Sequence, residues 1–133
     1  MATKFPSSLA SVESVSNVER RGARWNFEIA GVQAWCCEFS QGLCVALSVE
    51  CKSLDDAWVE KASLWLASVR GGIDDAFSIE EDRLWLVRRY ETELASAEWE
   101  LRLNQQLAIA DWLTGRHART EAIAQAGKVG TWA

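Results

Sequence analysis

The chain has 133 residues, of which 49% are hydrophobic, and a formal net charge of −5. This length and apolar content predict a single folded domain with its own core, and they exclude wholesale disorder. The acidic balance argues against duplex nucleic acid as a partner, because such binding needs a basic stripe, and it suits a basic or amphipathic polypeptide instead. No apolar run reaches the roughly 20 residues of a membrane helix, and residues 1–17 lack signal-peptide features, so we expect a cytoplasmic protein.

The two ends of the chain carry the weakest patterns. Residues 1–21 are rich in serine and favour a short helix at most, through the apolar positions Leu9, Val12 and Val15. Residues 116–133 are rich in alanine and glycine, and we expect a flexible or frayed tail there. The folded domain is therefore predicted to span residues 22–115.

Three short strands open the predicted domain, over residues 24–30, 32–39 and 43–51. Each alternates its side chains between two faces with a period of two, which is typical of strands. In the first strand, one face carries Trp25, Phe27 and Ile29. In the second strand, one face carries Gln33, Trp35, Cys37 and Phe39. The short links between the strands predict an antiparallel meander.

A helix and a second pair of strands follow. Apolar residues at helical spacing predict a helix that begins after the N-cap residue Ser53 and runs to about Val69, before two glycines. Residues 76–80 and 83–90 predict two strands joined by an acidic turn. The second of these strands is apolar on both faces. This pattern fits either a central strand covered twice or a strand whose second face contacts a partner.

The last predicted element is a helix from the N-cap residue Ser96 to Gly115, with an apolar stripe that includes Trp99, Leu103 and Leu113. Together the elements predict an α+β fold. Its antiparallel sheet of about five strands is flanked by two main helices, in the order (α)βββαββα.

Residues with catalytic chemistry are scarce in this sequence. His117 is the single histidine and lies in an unpatterned region, so a His-based acid–base site is disfavoured. The acids at 80–82 belong to a turn, and no phosphate-binding glycine motif occurs. The four cysteines, which are Cys36, Cys37, Cys44 and Cys51, lack zinc-knuckle spacing, and we interpret them as small hydrophobes in a reducing compartment. We therefore expect no enzyme activity, metal or cofactor.

The element order resembles that of the small acidic class I chaperones of bacterial type III secretion. Residues 77–113, FSIEEDRLWLVRRYETELASAEWELRLNQQLAIADWL, carry most of the resemblance. They combine a hairpin with an acidic turn, a strand of apolar and arginine residues, and a long helix rich in leucine and alanine. Residues 54–72, LDDAWVEKASLWLASVRGG, are similar to the dimer-forming helix of the family. The resemblance covers about residues 22–115, and the serine-rich first 21 residues depart from the family's N-terminal helix.

The resemblance implies a bacterial cytoplasmic chaperone with no covalent chemistry. It would bind the N-terminal region of a secreted client in extended form, keep the client soluble and deliver it to the secretion machinery. The positions expected to contact the client are Trp25, Phe27, Ile29, Trp35 and Phe39. A homodimer, or a heterodimer with a sister chaperone, is expected through Leu54, Trp58, Val59, Ala62, Trp65, Leu66 and Val69.

Two other functions remain open at this stage. The first is a chaperone-like regulator, whose client is a control protein of type III secretion gene expression. The second is a binding module that stacks tryptophans on sugars or other small ligands, with Trp25 beside Asn26 and Gln33 as its support. The identity of the bound molecule separates all three functions.

Overall fold

The computed structural model describes residues 4–50, 56–68, 75–91 and 94–126, with the backbone alone after Gly115. Its elements are α1 (Ser7–Ala10), β1 (Val15–Arg21), β2 (Arg24–Ile29), β3 (Val32–Phe39), β4 (Gly42–Val49), α2 (Asp56–Ser68), β5 (Asp75–Glu80), β6 (Arg83–Glu91) and α3 (Ser96–Ala126). The strands form one antiparallel sheet in the order β1-β2-β3-β4-β6-β5. The predicted α+β class is therefore confirmed, with six strands where about five were expected.

The additional strand lies in the segment for which the sequence predicted a short helix at most. Helix α1 is a single turn, and β1 follows it as an edge strand paired with β2 from Val15↔Ile29 to Arg21↔Arg24. A bulge between Ser16 and Glu19 interrupts this pairing. All but the first residue of β1 are exposed, so the strand lacks the apolar alternation that marks a half-buried strand in a sequence.

Tight turns set the register of the sheet. The turn between β2 and β3 holds Ala30 at φ 49° and Gly31 at φ 79°, and the turn between β5 and β6 holds Glu81 at 51° and Asp82 at 63°. Two consecutive residues with positive φ are the signature of type I′ turns, whose twist matches that of the flanking strands. The acidic turn predicted at 80–82 thus joins β5 directly to β6.

One face of the sheet carries the core. The buried cluster combines residues of β2, β3, β4 and β6 with Leu9 of α1, Ala62 and Leu66 of α2, and the apolar stripe of α3. Aromatic stacking adds to this packing, since the ring of Tyr90 on β6 lies 4.2 Å from that of Trp99 on α3. All three helices therefore pack on the same face of the sheet, which we call the covered face.

A buried polar side chain joins α3 to the sheet. The Gln106 side chain is fully buried, and its Nε2 donates to the carbonyl oxygens of Val45 at 2.8 Å and Leu86 at 3.0 Å. Its Oε1 accepts a 2.8 Å hydrogen bond from the hydroxyl of Tyr90. Burial raises the pKa of Tyr90, which keeps the hydroxyl neutral and able to donate. These bonds satisfy the amide and fix α3 over β4 and β6.

Helix α3 is longer than predicted. We expected it to end at Gly115, but its backbone remains helical to Ala126. A single glycine within a helix costs about 1 kcal/mol relative to alanine, and the alanine-rich sequence after it favours continuation. The helix also begins at Ser96 itself, so the expected cap residue is its first helical residue. The expected cap at Ser53 lies outside the described residues.

Candidate functional site

The second face of the sheet carries no described helix, and we call it the helix-free face. Strand residues point alternately to the two faces, so each register pair places two residues on the same face. The residues of the helix-free face that matter here are Arg24, Gln33, Trp35, Cys37, Cys44, Ala46, Ser78, Glu80, Arg83, Trp85, Val87 and Arg89. None of them belongs to the hydrophobic cluster of the core, although Trp35 and Ala46 are buried.

Trp35 lies at the centre of the helix-free face. Its register partner Ala46 is a small, fully buried residue, which leaves room for the indole ring over β4. The guanidinium of Arg24 lies 3.7 Å from the centre of this ring, and the Trp85 ring meets it edge-on at 6.1 Å. Cation–π and edge contacts of this kind stabilise by about 0.5–2 kcal/mol each. They leave Trp35 only 7% exposed although no described helix lies above it.

An ion pair crosses the helix-free face above Trp35. Arg24 on β2 donates two hydrogen bonds, of 2.7 and 2.8 Å, to the two carboxylate oxygens of Glu80 on β5. Three strands separate β2 from β5, which at about 4.8 Å per strand places them about 19 Å apart in a flat sheet. The sheet must therefore curve toward this face along the line that joins the two residues. A further hydrogen bond, which Arg83 on β6 donates to Gln33 on β3, also joins two strands of this face that are not neighbours in the sheet.

Electrostatics hold this pair in its ionised form. The hydrogen bond with Arg24 lowers the pKa of Glu80, and the bond with Glu80 raises the pKa of Arg24. Both side chains remain more than one-third exposed, at 38% for Arg24 and 37% for Glu80. Solvent therefore screens the pair, and an incoming charged group has access to it.

One polar atom beneath this pair lacks a partner. The indole Nε1 of Trp35 is buried and has no hydrogen-bond partner among the described residues. An unpaired buried N–H costs about 1–3 kcal/mol, so such groups are rare in folded proteins. It is a donor that a bound carbonyl or carboxylate oxygen would satisfy if the Arg24–Glu80 pair opened.

The five positions expected to contact a client divide between the two faces. Trp25, Phe27 and Ile29 lie on the covered face, where Phe27 and Ile29 are core residues and Phe5 packs against Trp25 at 5.7 Å. Trp35 and Phe39 lie on the helix-free face. Only these last two share a surface that no described helix covers.

The two edges of the sheet differ in how they are protected. The bulge in β1 and its charged residues Glu19, Arg20 and Arg21 discourage the addition of another strand. Strand β5 has no bulge, proline or lysine, and its Ile79 is 54% exposed. The charged residues at its two ends, Asp75 and Glu80, form ion pairs with arginines of the same chain. Among the described residues, the β5 edge is therefore the open one, and it adjoins the helix-free face through Ser78.

The expected dimer residues lie on α2 as far as the structure describes them. Ala62 and Leu66 are buried in the core of the chain itself, and Trp58 and Val59 are partly buried. Trp65 stacks on Trp112 of α3 with the ring centres 4.0 Å apart. Leu54 and Val69 lie outside the described residues. Among the described residues of α2, the exposed large hydrophobic side chain is Leu64, at 68%, which was not among the expected positions.

The described cysteines also occupy both faces. Cys36 is in the core, and burial raises the pKa of its thiol to about 12. Cys37 and Cys44 lie opposite each other on β3 and β4 of the helix-free face, and all three of these thiols are free. Adjacent cysteines on a strand do point to opposite faces, as the sequence predicts, but the opposition of Cys37 and Cys44 follows from the β3–β4 register.

Neither a known protein-family profile nor a curated protein sequence matches this chain. Within residues 4–50, 56–68, 75–91 and 94–115, no cluster of three metal-ligating side chains occurs. None of the described helices combines the length and apolar content needed to cross a membrane. The function must therefore be argued from the helix-free face and the open β5 edge.

Proposed function

We propose that this protein is a type III secretion chaperone of the bacterial cytoplasm. It binds the N-terminal region of a secreted client in extended form, keeps it soluble and export-competent, and delivers it to the secretion machinery. The observation that carries the proposal is the one-sided sheet, whose curved helix-free face adjoins the open edge of β5.

The helix-free face supplies what an extended chain requires. An extended client segment adds main-chain hydrogen bonds at an open strand edge and places alternate side chains against the neighbouring face. Here β5 supplies the edge, while the half-buried Trp85 and Val87 of the neighbouring strand β6 supply aromatic and apolar surface beside it. Tryptophan and arginine are the residue types that carry most of the energy at protein interfaces.

Site-specific photocrosslinking tests the proposal. A benzophenone amino acid at Ser78, on the helix-free face of β5, should capture the client in the native bacterium. The matched control is the same group at Leu101, which is 59% exposed on α3 in the opposite layer. Mass spectrometry of the Ser78 adduct should identify a secreted protein linked through its N-terminal region. Equal crosslinking from both positions would contradict this use of the helix-free face.

Substitution at the same face provides a second measurement. Trp85→Ala removes a half-buried ring from the helix-free face, and it should weaken binding of the captured client by about tenfold or more. Leu101→Ala is the matched control and should leave affinity unchanged. Client secretion should fall in the Trp85 variant alone. Capture of a control protein of secretion gene expression would instead identify the chaperone-like regulator.

We also propose a homodimer that uses α2. Trp65 is engaged with Trp112 inside the chain, so its substitution would disturb the fold as well as any interface. Leu64→Glu is the cleaner variant because this side chain is 68% exposed. Light scattering should give a dimer for the parent chain and a monomer for Leu64→Glu. An unchanged dimer would remove this face of α2 from the interface.

The sugar-binding alternative finds less support in the geometry. Trp25 lies on the covered face, whereas Asn26 and Gln33 lie on the other, so the three do not form one surface. The Trp35 and Trp85 rings are inclined at 63°, and sugar stacking uses coplanar exposed rings. A titration of intrinsic fluorescence with oligosaccharides should therefore be flat.

A further inference from the structure

Two cysteines and two arginines form one row across the helix-free face. The pair Trp25↔Cys36 places Arg24 beside Cys37, and the registers of the next strands pair Cys37 with Cys44 and Cys44 with Arg89. The row therefore runs across β2, β3, β4 and β6 in the order Arg, Cys, Cys, Arg.

The backbone holds the two thiols at a distance that a disulfide spans. Directly opposed residues of antiparallel strands have Cα atoms about 4.5 or 5.5 Å apart, and disulfides require about 4.4–6.8 Å. Cys37 and Cys44 are such a pair. Both residues are free and partly exposed, whereas Cys36 is buried on the covered face. A small oxidant therefore reaches this pair without unfolding the sheet.

The charges around the pair act on the thiolate. Burial raises the pKa of Cys44, the neighbouring Cys37 raises it further, and the guanidinium of Arg89 opposes both effects. At the other end of the row, Arg24 interacts electrostatically with Cys37. A thiolate formed at Cys44 thus has an arginine beside it.

We propose that Cys37 and Cys44 are a dithiol modification site, which hydrogen peroxide oxidises to a reversible cross-strand disulfide in the folded protein. One thiolate attacks the O–O bond of the peroxide, which gives a sulfenic acid and, after protonation of the leaving hydroxide, water. The second thiolate attacks the sulfenic sulfur, the S–S bond forms and a second water leaves. Two thiols and one peroxide thus become one disulfide and two waters, and a dithiol reductant reverses the change.

The test uses the purified whole chain with Cys36→Val and Cys51→Ser, so that Cys37 and Cys44 are the only thiols left. Peroxide should remove both free thiols and give a monomer lighter by two hydrogen atoms, and dithiothreitol should restore the original mass. The further single variants Cys37→Ser and Cys44→Ser should show no such loss of two hydrogens. Disulfide-linked dimers alone, or stepwise addition of oxygen without the disulfide, would overturn the proposal.

Arg89 provides a second readout. Arg89→Met should slow oxidation at neutral pH severalfold, because loss of the guanidinium lowers the thiolate fraction of Cys44, while Arg89→Lys should retain most of the rate. An unchanged pH–rate profile in Arg89→Met would refute the role of this arginine. Because no client takes part in either experiment, their outcome is separate from that of the proposed chaperone function.

Discussion

A buried ion pair between β5 and β6 allows the sharpest prediction about stability. The Asp75 and Arg88 side chains are only 0% and 1% exposed. Arg88 donates from Nη2 to Asp75 Oδ2 at 2.7 Å and from Nε to Oδ1, and its Nη1 donates to the carbonyl oxygen of Arg102 at 2.8 Å. This guanidinium therefore ties the edge strand β5 and the helix α3 to β6.

Asp75→Ala would remove the carboxylate that accepts two hydrogen bonds from the buried Arg88 guanidinium. Removal of one partner of a buried ion pair costs about 3–5 kcal/mol, because the buried charge that remains is less well compensated. For a protein of ordinary stability, about 5–15 kcal/mol, that is a large fraction of the total. Urea unfolding followed by tryptophan fluorescence should shift its midpoint down by about 2 M at an m-value of about 2 kcal/mol/M.

Two further variants make the prediction refutable. Glu19 pairs with Arg21 at 3.0 Å, but both side chains are more than 60% exposed, so Glu19→Ala should cost less than about 1 kcal/mol. Asp75→Ala combined with Arg88→Met should recover much of the loss, because no unpaired charge remains. If Asp75→Ala costs no more than Glu19→Ala, burial does not control the energetics of this pair.

The other predictions concern two glycines, one turn and one buried cysteine. Gly42→Ala should destabilise the fold by more than about 2 kcal/mol, because its Cβ would lie 2.0 Å from a backbone oxygen of β6. Gly115→Ala has open space within a helix and should stabilise the fold by up to about 1 kcal/mol. The midpoints of urea unfolding check both signs. Glu81→Asn with Asp82→Gly should raise the melting temperature, since these residues suit the two positive φ angles of the type I′ turn; a lower melting temperature would contradict that turn type. Burial raises the pKa of Cys36 from 9.0 to about 12. The contribution of this thiol to stability is therefore complete below pH 9 and is lost as the pH rises from about 9 to 12. The fall in the free energy of unfolding over this range should be smaller in Cys36→Val.

Several elements of the fold were predictable because their signals are local. The strand expected over 32–39 is β3, Val32–Phe39, and β2, β4, β5 and β6 also lie within two residues of their predicted ends. Alternation of apolar side chains and short turns act over a few residues, so the sequence displays them directly. Helix α2 was found in the same way, from apolar residues at helical spacing.

Edge strand β1 and the length of α3 escaped prediction for physical reasons. A strand that is paired on one side and exposed along its length needs no apolar alternation, so its sequence looks like a loop. Gly115 looked like a helix end because glycine favours caps, but the cost of one glycine is small against the residues that continue the helix.

The candidate site depends on contacts between distant parts of the chain. Trp25 and Trp35 carry the same local pattern, yet Trp25 packs against the core on the covered face and Trp35 lies on the helix-free face, because only tertiary packing decides which face the helices cover. The Arg24–Glu80 pair joins residues 56 positions apart through the curvature of the whole sheet. No local periodicity encodes that curvature.

Local sequence patterns were enough to predict the α+β class, most strand positions and the alternation of side chains along each strand, since these follow from backbone geometry and nearby residues. The tertiary structure alone decided the strand order, the face that α3 covers and the register that opposes Cys37 to Cys44. Register and packing are set by interactions summed over the whole sheet, and a shift of one residue would move every side chain of a strand to the other face.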